Sequence, residues 1–246
     1  HIIGTVEILE KDTLRIEPGV EVLFDPETRF SASGVILAIG TSEDSIRFTS
    51  VRDDPAPGDW DELIIRGRLA YCVVEYLARG LHLRIGEIKH SSIRFASGFG
   101  VILSNSTRLE NNSITNCASA ISCTDSSWAN HNLFAFNDEV VVAQSIRDIW
   151  GDFLTEYLKC EGNIFYQNGS VRTFDLPHPY FRYNCIFESE VEGGVLVGDL
   201  DFENFNGTAC DENFNIIMDP QFVDPENLDF HLSENSPCID AGNQLL

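Results

Sequence analysis

Asn111-Asn-Ser-Ile-Thr-Asn116, Asn132-Leu-Phe-Ala-Phe-Asn137, Asn163-Ile-Phe-Tyr-Gln-Asn168 and Asn184-Cys-Ile-Phe-Glu-Ser189 are four versions of one short pattern. Their starts lie 21, 31 and 21 residues apart, and His90-Ser-Ser-Ile-Arg-Phe95 precedes the first by another 21. Each unit mixes apolar and polar residues over too few positions for a helix, and reads as a short strand. Recurrence at this period marks a solenoid, in which each copy buries its apolar face against its neighbours. Corner asparagines fit that picture. Their amides bond to nearby backbone, tolerate a turn conformation, and pair with the equivalent amide one repeat away. Asn111, Asn132, Asn163 and Asn184, with Asn116, Asn137 and Asn168, are therefore expected to be ladder residues of the scaffold rather than ligand residues. The same periodicity gives His90 and His131 scaffold positions.

Working outward, the N-terminal half keeps the strand rhythm. Leu14 and Ile16 alternate with charged neighbours, Pro18-Gly19 turns, and Val20, Val22 and Phe24 resume the alternation. Gly34 to Gly40, Ser45 to Ser50, Trp60 to Ile65 and Tyr71 to Tyr76 follow as further strands, with no helical pattern between them, which disfavours a βαβ sheet. The expected fold is all-β: one single-stranded parallel β-helix domain over residues 1–246. With about eight rungs at roughly 4.8 Å spacing, it makes a rod on the order of 40 Å long. Ten extra residues fall between Asn132 and Asn163, and the most foreign stretch there is Ser145 to Glu156. It is expected to be an inserted loop, with a short helical turn, beside a binding face. Residues 210–246 form a closing segment.

Composition narrows the function classes. The chain has 246 residues, 43% of them hydrophobic, with 17 Phe against one Met, which suits stacked strands. A net charge of −23, spread along the chain, disfavours nucleic-acid binding because phosphate backbones are repelled. No stretch has the length of a membrane-spanning helix. The chain opens at His1 in mid-pattern, so a mature or excised form is expected, with any targeting signal lying outside it. The seven cysteines contain no Cys-x-x-Cys; Cys117 and Cys185 read as small core residues, and Cys210 and Cys238 could close the last turn by a disulfide, a pairing that spacing alone does not establish. The Asn-x-Ser/Thr triplets at Asn105, Asn111, Asn168 and Asn206 read as products of a polar repeat.

The chain resembles right-handed parallel β-helix repeat proteins of the pectate-lyase-like superfamily over nearly its whole length. The resemblance rests on Leu14-Arg-Ile-Glu-Pro-Gly-Val-Glu-Val-Leu-Phe24, Ile46-Arg-Phe-Thr-Ser50 and Trp60 near the start. Near the end it rests on Asp219-Pro-Gln-Phe-Val-Asp-Pro225 and Asn235-Ser-Pro-Cys-Ile-Asp-Ala-Gly242. It implies a right-handed coil and a secreted or cell-surface location. Members include lyases, hydrolases and adhesins, so it selects no activity.

Candidate chemistry divides three ways. Binding a polysaccharide or cell-surface glycan needs aromatic platforms and directional polar groups. Trp128, Trp150 and Tyr157, with Asp148 and Asp152, flank or occupy the irregular region and are the candidate ligand residues, which makes carbohydrate binding the leading expectation. The alternative is a calcium-assisted polysaccharide lyase, needing a base, a cation against the uronate and an acidic metal site. Asp53, Asp54, Asp59 and Asp61 are the densest acidic group and the candidate calcium ligands, though their spacing is not an EF-hand. Arg94, Arg108, Arg147, Lys159, Arg172 and Arg182 are the cations on repeat positions. Asp148, Asp152 and Glu156 share a face if their stretch is helical, the arrangement a hydrolase would use. A non-catalytic surface module is the third reading. His178 is a lesser surface candidate.

Overall fold

The computed structural model describes residues 1–123, 127–147, 153–173, 181–192 and 197–242; for 142–147, 153–158, 173 and 192 it describes the backbone alone. Among the described residues the fold is all-β, with long parallel sheets in a solenoid-like arrangement. Strands Glu21–Phe24, Ile46–Ser50, Cys72–Glu75, Ser92–Arg94, Ser113–Thr115, Leu133–Ala135, Ile164–Tyr166 and Cys185–Phe187 form an eight-stranded sheet. All its pairings are parallel. Each strand pairs with the equivalent segment of the next repeat, so side chains stack in columns. The inward column runs Val22, Phe48, Val74, Ile93, Ile114, Phe134, Phe165, Ile186, and from Phe48 onward it is buried.

The remaining strands form a longer, curled sheet. Trp60–Ala70 pairs with Arg29–Ala32 through its first half and with Val35–Ile39 through its second. Leu77–Lys89 likewise serves both Phe99–Leu103 and Arg108–Glu110. Two strands of one repeat are thus a single bent strand in the next. The bends sit at Gly67 and Gly86, with φ of 131° and 122°. A Cβ at Gly86 would collide with the Gly67 carbonyl oxygen, so this corner demands glycine. At the N-terminal end Trp60 is fully buried, stacks on Phe24 at 3.9 Å, and donates its Nε1–H to the Glu75 carbonyl at 2.8 Å. Toward the C-terminus Phe134 and Phe165 form a second stack, with Phe181 tilted against Phe165.

The asparagine ladder runs through Asn132, Asn163 and Asn184 as expected, and only its first unit is shifted by one residue, from Asn111 to Asn112. Its members are Asn112, Asn132, Asn163, Asn184 and Asn215, all 0–4% exposed. Asn132 Oδ1 accepts the Asn112 backbone N–H at 2.9 Å and its Nδ2–H at 3.0 Å. Asn163 accepts from Asn132 at 2.9 and 3.1 Å, Asn184 from Asn163 at 2.9 and 3.1 Å, and Asn215 from Asn184 at 3.0 and 3.1 Å. Each Nδ2 also donates to a core-side carbonyl, as Asn163 does to Ala129 at 2.8 Å. Asp211 ends the run by accepting the Asn215 N–H at 2.8 Å. Toward the N-terminus Ser91 takes the place of asparagine, its Oγ accepting the Cys72 N–H at 3.0 Å. A second ladder at the other end of the short strands holds Cys117, Asn137, Asn168 and Ser189.

Asn111 and Asn116 are not ladder members. They occupy the preceding position, where the chain turns through the left-handed region with φ of 55° at both. Asn and Gly tolerate that backbone; most residues are strained in it. The ten-residue excess after Asn132 also differs from expectation. Ala143 to Arg147 pairs antiparallel with Phe153 to Tyr157, so both flanks of the insertion are paired strands. Glu156 sits in a strand opposite Gln144, which removes it from any helical face with Asp148 and Asp152. Residues 148–152 lie outside the described residues.

Replacing Asn163 with Ala leaves the buried Asn132 N–H without its acceptor and removes the donor to the Ala129 carbonyl, so chemical denaturation should show a loss of roughly 2–3 kcal/mol. Asn111→Gly should stay within about 0.5 kcal/mol of the native chain, because glycine adopts φ near 55° without strain.

Candidate functional site

A groove of about 640 Å³ runs along the outer face of the eight-stranded sheet. Its first wall is set by the left-handed turn. At that position the side chain points outward, immediately before each inward ladder residue. Tyr71, His90, Asn111, His131, Gly162 and Tyr183 occupy it in successive repeats, with φ between 48° and 69°. The backbone holds them in line: each N–H from Tyr71 to Gly162 donates to a carbonyl of the next repeat at 3.0–3.2 Å. The Tyr71 and His90 rings stack at 5.0 Å. The floor is the outward column of the sheet, where Ser92, Ser113 and Leu133 lie side by side.

The second wall comes from the closing segment. Phe222–Asp224 and Asp229–Leu232 form an antiparallel hairpin around a 3-10 turn at Pro225–Asn227. Aromatic contacts hold this hairpin across the sheet: Phe230 to Phe136 at 6.1 Å, Phe222 to Tyr166 at 5.2 Å, and Phe222 to Phe230 at 5.3 Å. Phe222, Phe230 and Leu232 face the groove opposite the Tyr71–His131 column. The described residues lining the groove include histidine but none of Asp, Glu, Lys or Arg. In a chain of net charge −23, that leaves an uncharged strip of hydroxyls, amides, imidazoles and aromatic carbon.

Across Phe230 a second depression of about 510 Å³ shares Ser92 and Ser113 and adds Arg94, Thr115, Asp229 and His231. Charge is concentrated here. His231 Nδ1 and Asp229 Oδ1 are 2.5 Å apart, and that bond holds the Asp229 carboxyl below its ordinary range. Arg94 Nε donates to Glu75 Oε2 at 2.8 Å, Arg47 Nε to Glu75 Oε1 at 2.7 Å, and Thr49 to Glu75 at 3.0 Å. Burial pushes the Glu75 carboxyl up, but the bonds from Arg47 and Arg94 outweigh it and the net shift is downward.

The expected site residues do not converge on this groove. Trp128 lies on a different face, on the strand Ser127–Asn130. Arg108 and Lys159 occupy the register positions on either side of it, at 5.7 and 4.7 Å from its ring centroid. Both cations lie within cation–π range of the indole and compete with any sugar for it. Tyr157 pairs through its backbone with Ala143. Trp150, Asp148 and Asp152 lie outside the described residues, as does His178. Asp53 and Asp54 are exposed. Asp59 accepts the Ala56 N–H at 3.1 Å and pairs with Arg52 at 3.2 Å, while Asp61 is bound by Arg79. Among the described residues no group of three or more His, Cys, Asp or Glu is placed to hold a metal ion. Among the repeat cations, Arg94, Arg172 and Arg182 are paired with Glu75, Glu139 and Glu161.

Comparison with known proteins adds no identity: no family model, curated protein or solved structure matches the chain. Among the described residues no helix is long and apolar enough to cross a membrane.

The Glu75 cluster carries a pH prediction. A carboxylate held below its unfolded pKa stabilises the fold above that pKa, and the contribution is lost as pH falls through the folded value. Stability should therefore drop below about pH 4.3, the ordinary glutamate value. Glu75→Gln should flatten that acid limb and lower neutral stability by roughly 1–3 kcal/mol, since charge-assisted bonds are lost. Urea midpoints between pH 7 and 3 check both.

Proposed function

We propose that the chain is a right-handed, single-stranded parallel β-helix of the pectate-lyase-like type, secreted or on the cell surface, that binds neutral carbohydrate in the groove between the Tyr71–His131 column and the closing hairpin. The handedness follows from the strong preference of parallel crossover connections for the right-handed sense. The observation that carries the function is the groove itself. Its uncharged lining, with aromatic carbon along one wall and hydroxyl and amide groups along the floor and the other, suits the alternating apolar and hydroxyl faces of a sugar. Its linear run along several repeats suits an extended chain rather than a compact ligand.

Cleavage is less well supported. A lyase needs a free cation against a uronate. Arg94, at the charged end, is committed to Glu75, and Asp59 and Asp61 are committed to arginines. A uronate polymer would also meet the unfavourable field of a chain with net charge −23.

A glycan array followed by calorimetry tests the reading. Neutral oligosaccharides should bind with no products formed, and polyuronates should bind more weakly. Tyr71→Ala and Phe230→Ala should each weaken binding roughly tenfold or more, about 1.4 kcal/mol per decade. Trp128→Ala should leave affinity unchanged. Unaltered affinity in both groove variants, or preferential capture of uronates, would remove the groove from the account.

A further inference from the structure

Seven cysteines are present, and all are free thiols. Most have no use in a groove that binds sugar. Cys72 and Cys117 are buried core groups, and burial pushes each up to about 12. Cys160 is fully enclosed and shifted the same way. Such thiols are inert, because the thiolate is the reacting species.

Cys185 and Cys238 differ. Cys185 opens the last strand of the eight-stranded sheet and is 3% exposed. Cys238 comes from the closing segment, packs against Cys185, and is half-buried, so a small reagent can reach it. Both line one cavity of about 230 Å³. The cavity thus brings these two thiols together, and Cys210 is not among its lining residues. Cys185 Sγ donates to the Met218 carbonyl at 3.2 Å. The neighbouring Cys185 shifts Cys238 down, while Cys238 and burial shift Cys185 up. Cys210 lies in the same apolar cluster, but the thiol that shares the cavity with Cys238 is Cys185.

We infer that Cys185 and Cys238 are a dithiol modification site, closing to a disulfide by exchange with a low-molecular-weight disulfide and tying the closing segment to the sheet. The Cys238 thiolate attacks one sulfur of the small disulfide. Its S–S bond breaks, one small thiolate leaves, and a mixed disulfide forms on Cys238. Cys185 then gives up its proton to water and attacks the Cys238 sulfur, expelling the second small thiolate. Two protein thiols are oxidised and one small disulfide is reduced to two thiols. The half-buried thiol thus acts first, and the enclosed one resolves. The bond closes a long loop that contains the hairpin walling the groove, so it fixes that wall and stabilises the fold.

The test exposes the native chain to oxidised glutathione at neutral pH, followed by thiol counting and peptide mass mapping. The expected product is a Cys185–Cys238 crosslink, with the other cysteines unreactive until the protein is denatured. The thermal midpoint should rise on oxidation and return on reduction. Cys185→Ser should stop at a stable mixed disulfide on Cys238, and Cys238→Ser should not react. A persistent glutathione adduct on native Cys238, a Cys210–Cys238 crosslink, or no reaction in the folded state would each overturn the proposal. None of these readouts depends on a sugar ligand, so the result stands apart from the groove's function.

Discussion

The structure depends on what one buried amide can do. A ladder asparagine between parallel strands faces two needs in a dry corner: a backbone N–H of the preceding repeat without a strand partner, and a carbonyl on the core side. Its Oδ1 accepts the first and its Nδ2 donates to the second. The same Nδ2 also bonds to the Oδ1 of the next asparagine, so the amides form a chain in which each orients its neighbour. Buried polar groups are costly when unpaired and rigidifying when fully paired. Here the run closes at Asp211, whose carboxylate accepts from Asn215. Serine at position 91 and cysteine at 117 show how a shorter group is accommodated: each bonds to a carbonyl two residues back, Ser91 Oγ to Lys89 at 2.8 Å and Cys117 Sγ to Thr115 at 3.3 Å, in place of the longer reach of an amide.

This constraint also shapes the surface. To bring an amide inward at each corner, the preceding residue turns through left-handed φ, and its side chain is thrown outward. The scaffold therefore produces a row of outward side chains in register, free to vary chemically while the backbone stays the same. Tyr71, His90, Asn111 and His131 are that row. It becomes a groove only because the closing hairpin lays Phe222 and Phe230 over the sheet where the outward column changes from Ser92 and Ser113 to Leu133 and Ile164. The apolar end of that column draws the hairpin down, and the polar end stays open.

Local pattern was enough to read the all-β class, the parallel stacking and the presence of amide ladders. It was not enough for the register of the first unit. Asn111 and Asn112 form a doublet, and choosing the first gives an even 21-residue step, whereas the structure uses the second. The preceding-residue role was still readable: His131 stands before Asn132, Gly162 before Asn163 and Tyr183 before Asn184, a column that ends the ambiguity once aligned. Asn215 was missed because its unit, Phe214-Asn-Ile-Ile-Met218, lacks the second asparagine. The cations beside Trp128 were legible in principle, since Arg108 and Lys159 lie one repeat before and after it. The groove was not, because its second wall is made by contacts such as Phe136 to Phe230, far apart in the chain and outside the repeat.

The central claim is that the amides act as one coupled chain rather than as separate corner bonds. A double-mutant cycle between Asn132 and Asn163, measured by chemical denaturation, tests it most directly. Coupled neighbours in one hydrogen-bond network should show an interaction energy of about 1 kcal/mol or more, while the outward pair Asn111 and His131 should be additive within about 0.5 kcal/mol. Additive losses for Asn132 and Asn163 would contradict the account.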